Sequence, residues 1–496
     1  MKKTKVLVDL AFGHKKCGFS GIPQDTRLLF SGLSSSSQLS ISGMLWSTTA
    51  PWRGKSLDDI ESQSTFLGPH LHHAQMRFSA RIMARYNYKI AEKFERISSI
   101  FPWNKYSIHK LSDDIMKDII WRQFFASTVD IKERDTVLSQ QFILSDLGFW
   151  PASDAAYLAS SSVKLDTNGY DAILFQDSRN IIPSPGTRKF IRYHDGLPVL
   201  ASDTMLSPNL IKRHIRSIKT SAKNSVYVCN STSAKQDLVH IHPVASENAV
   251  VIPYFVPRLE RHEVTGDALL DLARIRISSS TINQKTNPME CVHKWFDIID
   301  PPIVRNLENL KSAPVAIPEF ILSLATIEPR KNYQGLLRAW ARLRMKTARN
   351  IKLVIIGKPG WEFDSILADM RPYVAAGHLL HLQGVAQDEL PYWYSSAKCF
   401  AFPSVAEGFG LPPIEAMQCG TPVMVSDIPA HRYSCGEAAL FCNPYDPADM
   451  ASKLEKILSE PCFDLVRRGY HNAERFTRES VLPLWEELFA TGTIRQ

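Results

Sequence analysis

No stretch of the 496 residues approaches the ~18–20 uninterrupted apolar residues of a membrane-spanning helix, which excludes an integral membrane protein. The eight cysteines (Cys17, Cys229, Cys291, Cys399, Cys419, Cys435, Cys442 and Cys462) form no Cys-x-x-Cys pair, so neither a zinc ribbon nor a thioredoxin motif is present. A strict Gly-x-Gly-x-x-Gly string is missing too. Trp and Tyr are plentiful, but no arginine-rich tract accompanies them, which disfavours nucleic acid as a partner. A large excess of one sign of charge is also lacking: 58 basic against 50 acidic residues leave +8. That mild excess favours phosphate-bearing or anionic partners, or simply keeps the chain soluble. The N-terminus begins Met1-Lys2-Lys3-Thr4-Lys5, but the following Val6–Phe12 stretch is broken by Asp9. It is too short for a signal h-region and reads as a first β-strand. A cytoplasmic protein with reduced thiols is expected.

What is present is ordinary globular composition, 44% hydrophobic and 22% charged, over a length that calls for two domains. Lys5–Leu10, the glycines Gly13, Gly18 and Gly21, and a helical pattern from Asp25 open a Rossmann-like unit. Residues 34–165 show no parallel-sheet rhythm and read as a helical insertion. Short apolar runs return at Tyr170–Gln176, Lys189–His194, Ser225–Cys229 and Ala249–Val256, as in a buried parallel sheet. The poorly patterned 258–316 segment reads as a linker. Beyond it, five strand–helix repeats between Phe320 and Leu458 predict a doubly wound sheet. The expected organisation is an N-terminal domain over 1–316, a C-terminal domain over 317–475, and a tail over 476–496. That tail has an apolar face (Leu482, Trp485, Leu488, Phe489) that should cross back onto the first domain.

The sharpest segment runs from Pro403 to Met417, PSVAEGFGLPPIEAM. It follows a strand and opens a helix, the edge where ligands bind open α/β sheets. Gly408 and Gly410 permit close backbone approach. Pro412 and Pro413 suit a first helical turn. Free N–H groups at Leu411 would then face a phosphate. Glu407 and Glu415 can accept hydrogen bonds from sugar or ribose hydroxyls. In Glu328-Pro329-Arg330-Lys331-Asn332, two cations sit at a helix start, where the helix dipole disfavours them. That placement points to an anionic partner such as a diphosphate. The plainer readings are a glycine loop with solvated glutamates and a solvated basic pair.

In order, EPRKN, VIIGKPG, LQGVAQDELPYWYSSAK and FPSVAEGFGLPPIEAMQCGTPV resemble glycosyltransferase family 4, the retaining GT-B enzymes, over Ile317–Glu460. The resemblance implies two Rossmann-like domains facing a cleft, and an enzyme that moves a hexose from a nucleotide diphosphate sugar to a glycan or lipid-linked acceptor. It implies that Glu407 contacts the donor sugar, Glu415 the ribose, and Arg330, Lys331 and the Gly408-Phe409-Gly410-Leu411 backbone the diphosphate. His194, in a strand-end His-Asp pair, would be catalytic and reach the reacting region. Its alternative is a buried structural histidine. Gly18 and Gly21 resemble the family's N-terminal glycine loop. The family's frequent Gly-Arg is here Ala325-Thr326, which leaves the phosphate charge to Arg330 and Lys331. No Asp-x-Asp occurs, so no metal cofactor is expected. Retention would come from front-face attack, since no carboxylate nucleophile stands out.

The pattern is similar to bacterial O-antigen and exopolysaccharide mannosyltransferases, with GDP-mannose the first donor to test and UDP-sugars next. Other readings are a sugar-nucleotide epimerase and a non-catalytic nucleotide-sugar or glycan-binding module. His70, His72 and His73 read as a polar loop rather than a metal site. The basic helix 77–93 would be the surface for a peripheral contact with the inner face of a membrane. Its alternative is an amphipathic helix packed on its own domain.

Overall fold

The computed structural model describes residues 2–13, 21–47, 105–111, 114–148, 162–200, 208–222, 224–277, 288–296, 315–347 and 349–494. Gly18, His70, His72, His73 and the 77–93 segment lie outside the described residues. The chain divides into two compact units, Met1–Phe255 with Arg478–Gln496, and Val256–Thr477. Among the described residues, no helix is long and apolar enough to cross a membrane.

The strands of the first unit are β1 (Thr4–Asp9), β2 (Leu39–Ser47), β3 (Lys105–Tyr106), β4 (Ile108–Leu111), β5 (Gln141–Gly148), β6 (Val163–Leu165), β7 (Ala172–Phe175), β8 (Ile181–Ile182), β9 (Arg188–Tyr193), β10 (Ser225–Cys229) and β11 (Ala249–Val251). Eight of them form one sheet in the order β11-β10-β9-β7-β1-β2-β5-β4. Every pairing in it is parallel except β4 with β5. Helices cover the faces of such a sheet, so its inner strands read as continuous apolar runs. Ala-Ile-Leu-Phe of β7 is buried at every position.

The described part of the 34–165 segment is not the expected helical insertion alone, since it supplies β2, β4 and β5 to the main sheet. The misreading has a physical cause. β2 is Leu-Ser-Ile-Ser-Gly-Met-Leu-Trp-Ser, whose small polar residues interrupt the apolar run although the strand lies within the sheet. Gly43 allows close packing there: a Cβ would lie 2.7 Å from Leu10 Cδ1 and 3.0 Å from the Phe142 ring, so those side chains would have to shift.

The Arg478–Thr491 helix belongs to this first unit. Val481, Trp485, Leu488 and Phe489 are buried in one core with Val6, Val8, Phe30 and Phe190. Phe489 meets Phe190 edge-on at 5.2 Å, and Trp485 stacks on Phe489 at 5.5 Å. Arg188, at the start of β9, donates to the Phe489 carbonyl at the helix C-terminus, where a cation is favoured.

The second unit has β12 (Phe320–Leu324), β13 (Lys352–Ile356), β14 (Leu379–Leu382), β15 (Cys399–Phe402), β16 (Val423–Ser426) and β17 (Leu440–Cys442). All are parallel, in the order β14-β13-β12-β15-β16-β17. Order reverses beside β12, which makes the carboxyl ends of β12 and β15 a topological switch point.

The boundary between units falls at Phe255/Val256, not at 316/317. The described residues of the expected linker, 258–277 and 288–296, are folded on the second unit. Leu259 N–H donates to Gln418 Oε1 at 2.8 Å, and His262 stacks on Tyr392 with centroids 4.7 Å apart. The Gly266–Ile277 helix is held by Arg276 forking onto Glu389. The Pro288–Trp295 helix is capped by buried Lys352, which donates to the Lys294 carbonyl at 3.0 Å and to that of Trp295. Leu269, Leu270, Ala273 and Ile277 already carry helical spacing. The surrounding serines and prolines obscure it.

Candidate functional site

The site gathers at the carboxyl ends of β12 and β15. Leaving β12, the chain makes a short 3-10 turn at Pro329–Lys331, and Asn332 takes a left-handed conformation (φ 56°, ψ 37°). The Asn332 amide then donates to the Pro403 carbonyl at 3.1 Å and to the Pro444 carbonyl at 2.7 Å. One side chain thereby ties the loops after β12, β15 and β17 together. The Tyr333–Thr347 helix follows directly.

The turn aims Arg330 and Lys331 at Glu407. Arg330 donates to Glu407 Oε2 at 2.9 Å, to the Ala406 carbonyl at 3.0 Å and to Glu328 Oε1 at 2.6 Å. Lys331 Nζ donates to Glu407 Oε1 and lies 5.1 Å from the Phe402 ring centroid. Burial by itself would push the Glu407 carboxyl up. The guanidinium of Arg330 and the ammonium of Lys331 more than reverse this and hold it at about 2. Lys331 is shifted down, chiefly by burial and then by Arg330. Two cations and two carboxylates thus balance in a mostly buried cluster. Neither the glutamate nor the basic pair is a solvated surface group: their side chains are 9%, 17% and 11% exposed.

Gly410 is the N-cap of the Leu411–Gln418 helix, with φ 90° and ψ 80°, a region that glycine enters without strain. Prolines fill the first turn as the sequence predicts, and the Gly408–Leu411 backbone leads into the helix N-terminus. Phe409 offers only its backbone. Its ring is buried edge-on against Phe476 at 5.4 Å. Glu415 is not brought to the basic pair: buried one helical turn on, it accepts from the Tyr394 hydroxyl at 2.9 Å and Gln387 Nε2 at 3.5 Å.

His194 and Gly21 belong to the first unit. His194 is buried at the end of β9, and both ring nitrogens are engaged there. Nε2 lies 3.0 Å from the Gln176 carbonyl, which can only accept, so Nε2 carries the proton. Nδ1 therefore accepts from the Tyr254 hydroxyl at 2.7 Å. The Asn230 amide donates to both the His194 carbonyl and Tyr254 Oη at 2.8 Å. Burial, with Arg192 second, lowers the His194 imidazole to about 3. It is neutral at pH 7, and any bond to a reacting group would need one of its two present bonds to break. Gly21 caps the Ile22–Ser34 helix with φ 67°.

Sequence reading missed Glu328, Tyr394 and Gln387, although all three stand inside the motif strings, and it missed Asn332 as the tie between loops. His431 and Tyr254 carried no signal, because their importance depends on long-range packing.

The buried histidines make a pH prediction. Besides His194, burial lowers His214, His381 and His431 to about 4. Each is depressed relative to an unfolded value near 6.5. Between these limits the unfolded chain binds the proton and the fold does not. Stability is therefore complete above about pH 6.5 and falls by about 1.4 kcal/mol per histidine per pH unit below it. Urea midpoints should decline from pH 6.5 to 5, well before most carboxylates titrate, and His381→Gln should flatten the slope. A level profile over that range would contradict the neutral, buried assignment.

Residues 309–476 match the family described as glycosyl transferases group 1. O-antigen chain mannosyltransferase B of Escherichia coli is 34% identical over 176 residues, 35% of this chain and 46% of that protein. The serotype-specific mannosyltransferase WbdA of Escherichia coli is 29% identical over 274 residues, 54% of this chain and 29% of that protein. The chain thus spans less than half the length of these relatives. The solved sucrose-phosphate synthase of Thermosynechococcus elongatus superposes with a TM-score of 0.55 at 13% identity, covering 98% of this chain and 100% of that one. The fold is GT-B, with a sheet in each unit that is parallel throughout apart from the β4–β5 pair.

Proposed function

We propose that the protein is a retaining hexosyltransferase that takes its sugar from a nucleotide diphosphate donor, GDP-mannose first, and adds it to a glycan or lipid-linked acceptor in surface polysaccharide synthesis. One observation carries the reading: Arg330 and Lys331 converge on Glu407 where the glycine loop enters the Leu411–Gln418 helix. The match to glycosyl transferases group 1 and the O-antigen mannosyltransferase relatives support it.

In this mechanism, breaking the sugar–phosphate bond leaves charge on the diphosphate. Arg330, Lys331 and the helix-end N–H groups stabilise that charge without reorganising. The diphosphate takes over the cations that Glu407 now occupies, which frees its carboxylate to accept from sugar hydroxyls. Glu415 is proposed for the ribose and would exchange the Tyr394 or Gln387 bond for it. The acceptor attacks from the face the diphosphate leaves. No metal is proposed, and the reaction is cytoplasmic, at the inner face of the membrane where a lipid-linked acceptor is used.

The test is a thermal-shift panel followed by product analysis. GDP-mannose should raise the melting temperature more than UDP- or dTDP-sugars, because a ligand that binds only the folded state stabilises it. Transfer with retained anomeric configuration should persist in excess EDTA. Release of an epimerised sugar nucleotide would favour the epimerase reading, and donor binding with neither transfer nor hydrolysis would favour a binding module. A complete loss in EDTA restored by manganese would overturn the metal-free leaving-group argument.

A further inference from the structure

His431 lies on the Pro429–Cys435 helix, beneath the glycine loop, and is fully buried. Its Nδ1 is 3.0 Å from the Ser426 carbonyl, so Nδ1 carries the proton and donates. Nε2 is left as a buried acceptor with no partner among the described residues. Ser404 Oγ, in the loop after β15, is buried and unpartnered as well. Orphaned polar atoms cost free energy, and two at one strand edge call for an explanation.

The direction of Nε2 supplies one. A Cβ on Gly410 would lie 3.4 Å from Nε2 and 3.3 Å from Cδ2. The absence of that Cβ leaves room between the imidazole and the start of the Leu411–Gln418 helix. The groups that face His431 are few. Phe402 closes one side with its ring 5.5 Å away, and Ser426 takes Nδ1. Of the charged groups, Glu407 favours the imidazolium and Lys331 opposes it. Arg330 and Glu328 lie one ion pair further out. On its own helix, Arg432 is engaged by Asp427 at 2.7 Å on the exposed side. Burial dominates this balance and keeps the ring neutral.

A nucleotide sugar would bring two negative charges into a pocket whose two cations are already matched by two carboxylates. We infer that His431 is the group that takes up a proton when that diphosphate enters, turning its orphaned Nε2 into a donor toward the anion and a third cation beside Arg330 and Lys331. The proton comes from solvent, and no covalent bond changes. This inference rests on the diphosphate site proposed above.

Calorimetry on the full chain tests it, with GDP-mannose and UDP-glucose as probes in buffers of different ionisation enthalpy at pH 7 and pH 8. A sugar-esterified diphosphate lacks the phosphate ionisation near pH ~6, so it contributes no proton itself. Glu407, released from its cations, is pushed up by burial, and a proton taken up there would persist in His431→Gln. Wild type should take up close to one proton per nucleotide sugar at pH 7, and its affinity should weaken by up to about tenfold at pH 8. His431→Gln keeps a neutral hydrogen-bonding group and should bind with no proton uptake and no change in affinity over this range. Binding by wild type without uptake would overturn the inference, as would uptake that survives in His431→Gln, which would assign the proton to Glu407 or Lys331. Should wild type bind neither probe, the donor-site reading falls first and this inference with it. The wild-type measurement decides the matter even if the variant does not fold.

Discussion

Replacing Lys331 with alanine is expected to lower the transfer rate by roughly 10²–10³-fold, the scale on which one preorganised stabiliser of transition-state charge acts. The ammonium is buried against Phe402 and shares Glu407 with Arg330. Its loss removes one of the two permanent cations available to the departing diphosphate, and no exposed lysine can replace it in that enclosed position. Binding of the donor should weaken far less than turnover, because charge on the diphosphate grows as the bond breaks. Lys331→Arg should recover binding better than rate, since a planar fork does not reproduce a point charge. Single-turnover kinetics with GDP-mannose would separate the two. An alanine variant with unchanged turnover on every donor that binds would remove Lys331 from the chemistry.

The second large effect concerns stability. Trp485→Ala should cost about 3–5 kcal/mol, the usual range for deleting a buried tryptophan side chain. Trp485 is fully buried, stacks on Phe489 and lies under the Arg192 guanidinium at 5.4 Å. Arg192 in turn forms a buried pair with Asp25 at 3.2 Å and donates to the Ile252 and Pro253 carbonyls at 2.7 and 3.2 Å. A cavity there loosens both the apolar contacts and the ion pair that leans on them. At about 2–4 °C per kcal/mol for a unit of this size, the melting temperature should drop by roughly 6–20 °C. Scanning calorimetry and urea titration would both register it. A loss below about 1 kcal/mol would mean that the terminal helix is not part of the first unit's core.

Much of the second unit is legible in the sequence because its strands are short uninterrupted apolar runs. Cys-Phe-Ala-Phe and Val-Met-Val-Ser need no context to be read. The first unit resists the same reading because β2 mixes serine and glycine with its apolar residues, and those small groups can be buried without announcing it. The expected 258–316 linker hides its folded residues for a related reason: their anchors, Arg276 on Glu389 and Lys352 on two carbonyls, join residues far apart in sequence. At the site, glycines, prolines and adjacent cations betray themselves locally. Their protonation states and partners do not. That Glu407 is already paired with both cations follows only from the loops meeting, and the His194 bonds follow from strand order.

The division of the first unit into two pieces of chain has a consequence for synthesis. The apolar face that Trp485, Leu488 and Phe489 cover is built from β1, β7, β9 and the Ile22–Ser34 helix, all made early. Its cover emerges only after Val256–Thr477 has been translated. At roughly 5–20 residues per second, those residues occupy the ribosome for about 10–45 s. Throughout that interval the second unit has all its own strands in hand while the first displays an unsealed hydrophobic surface. The nascent chain therefore finishes its first unit last, and that waiting period is where a chaperone would find the most to hold.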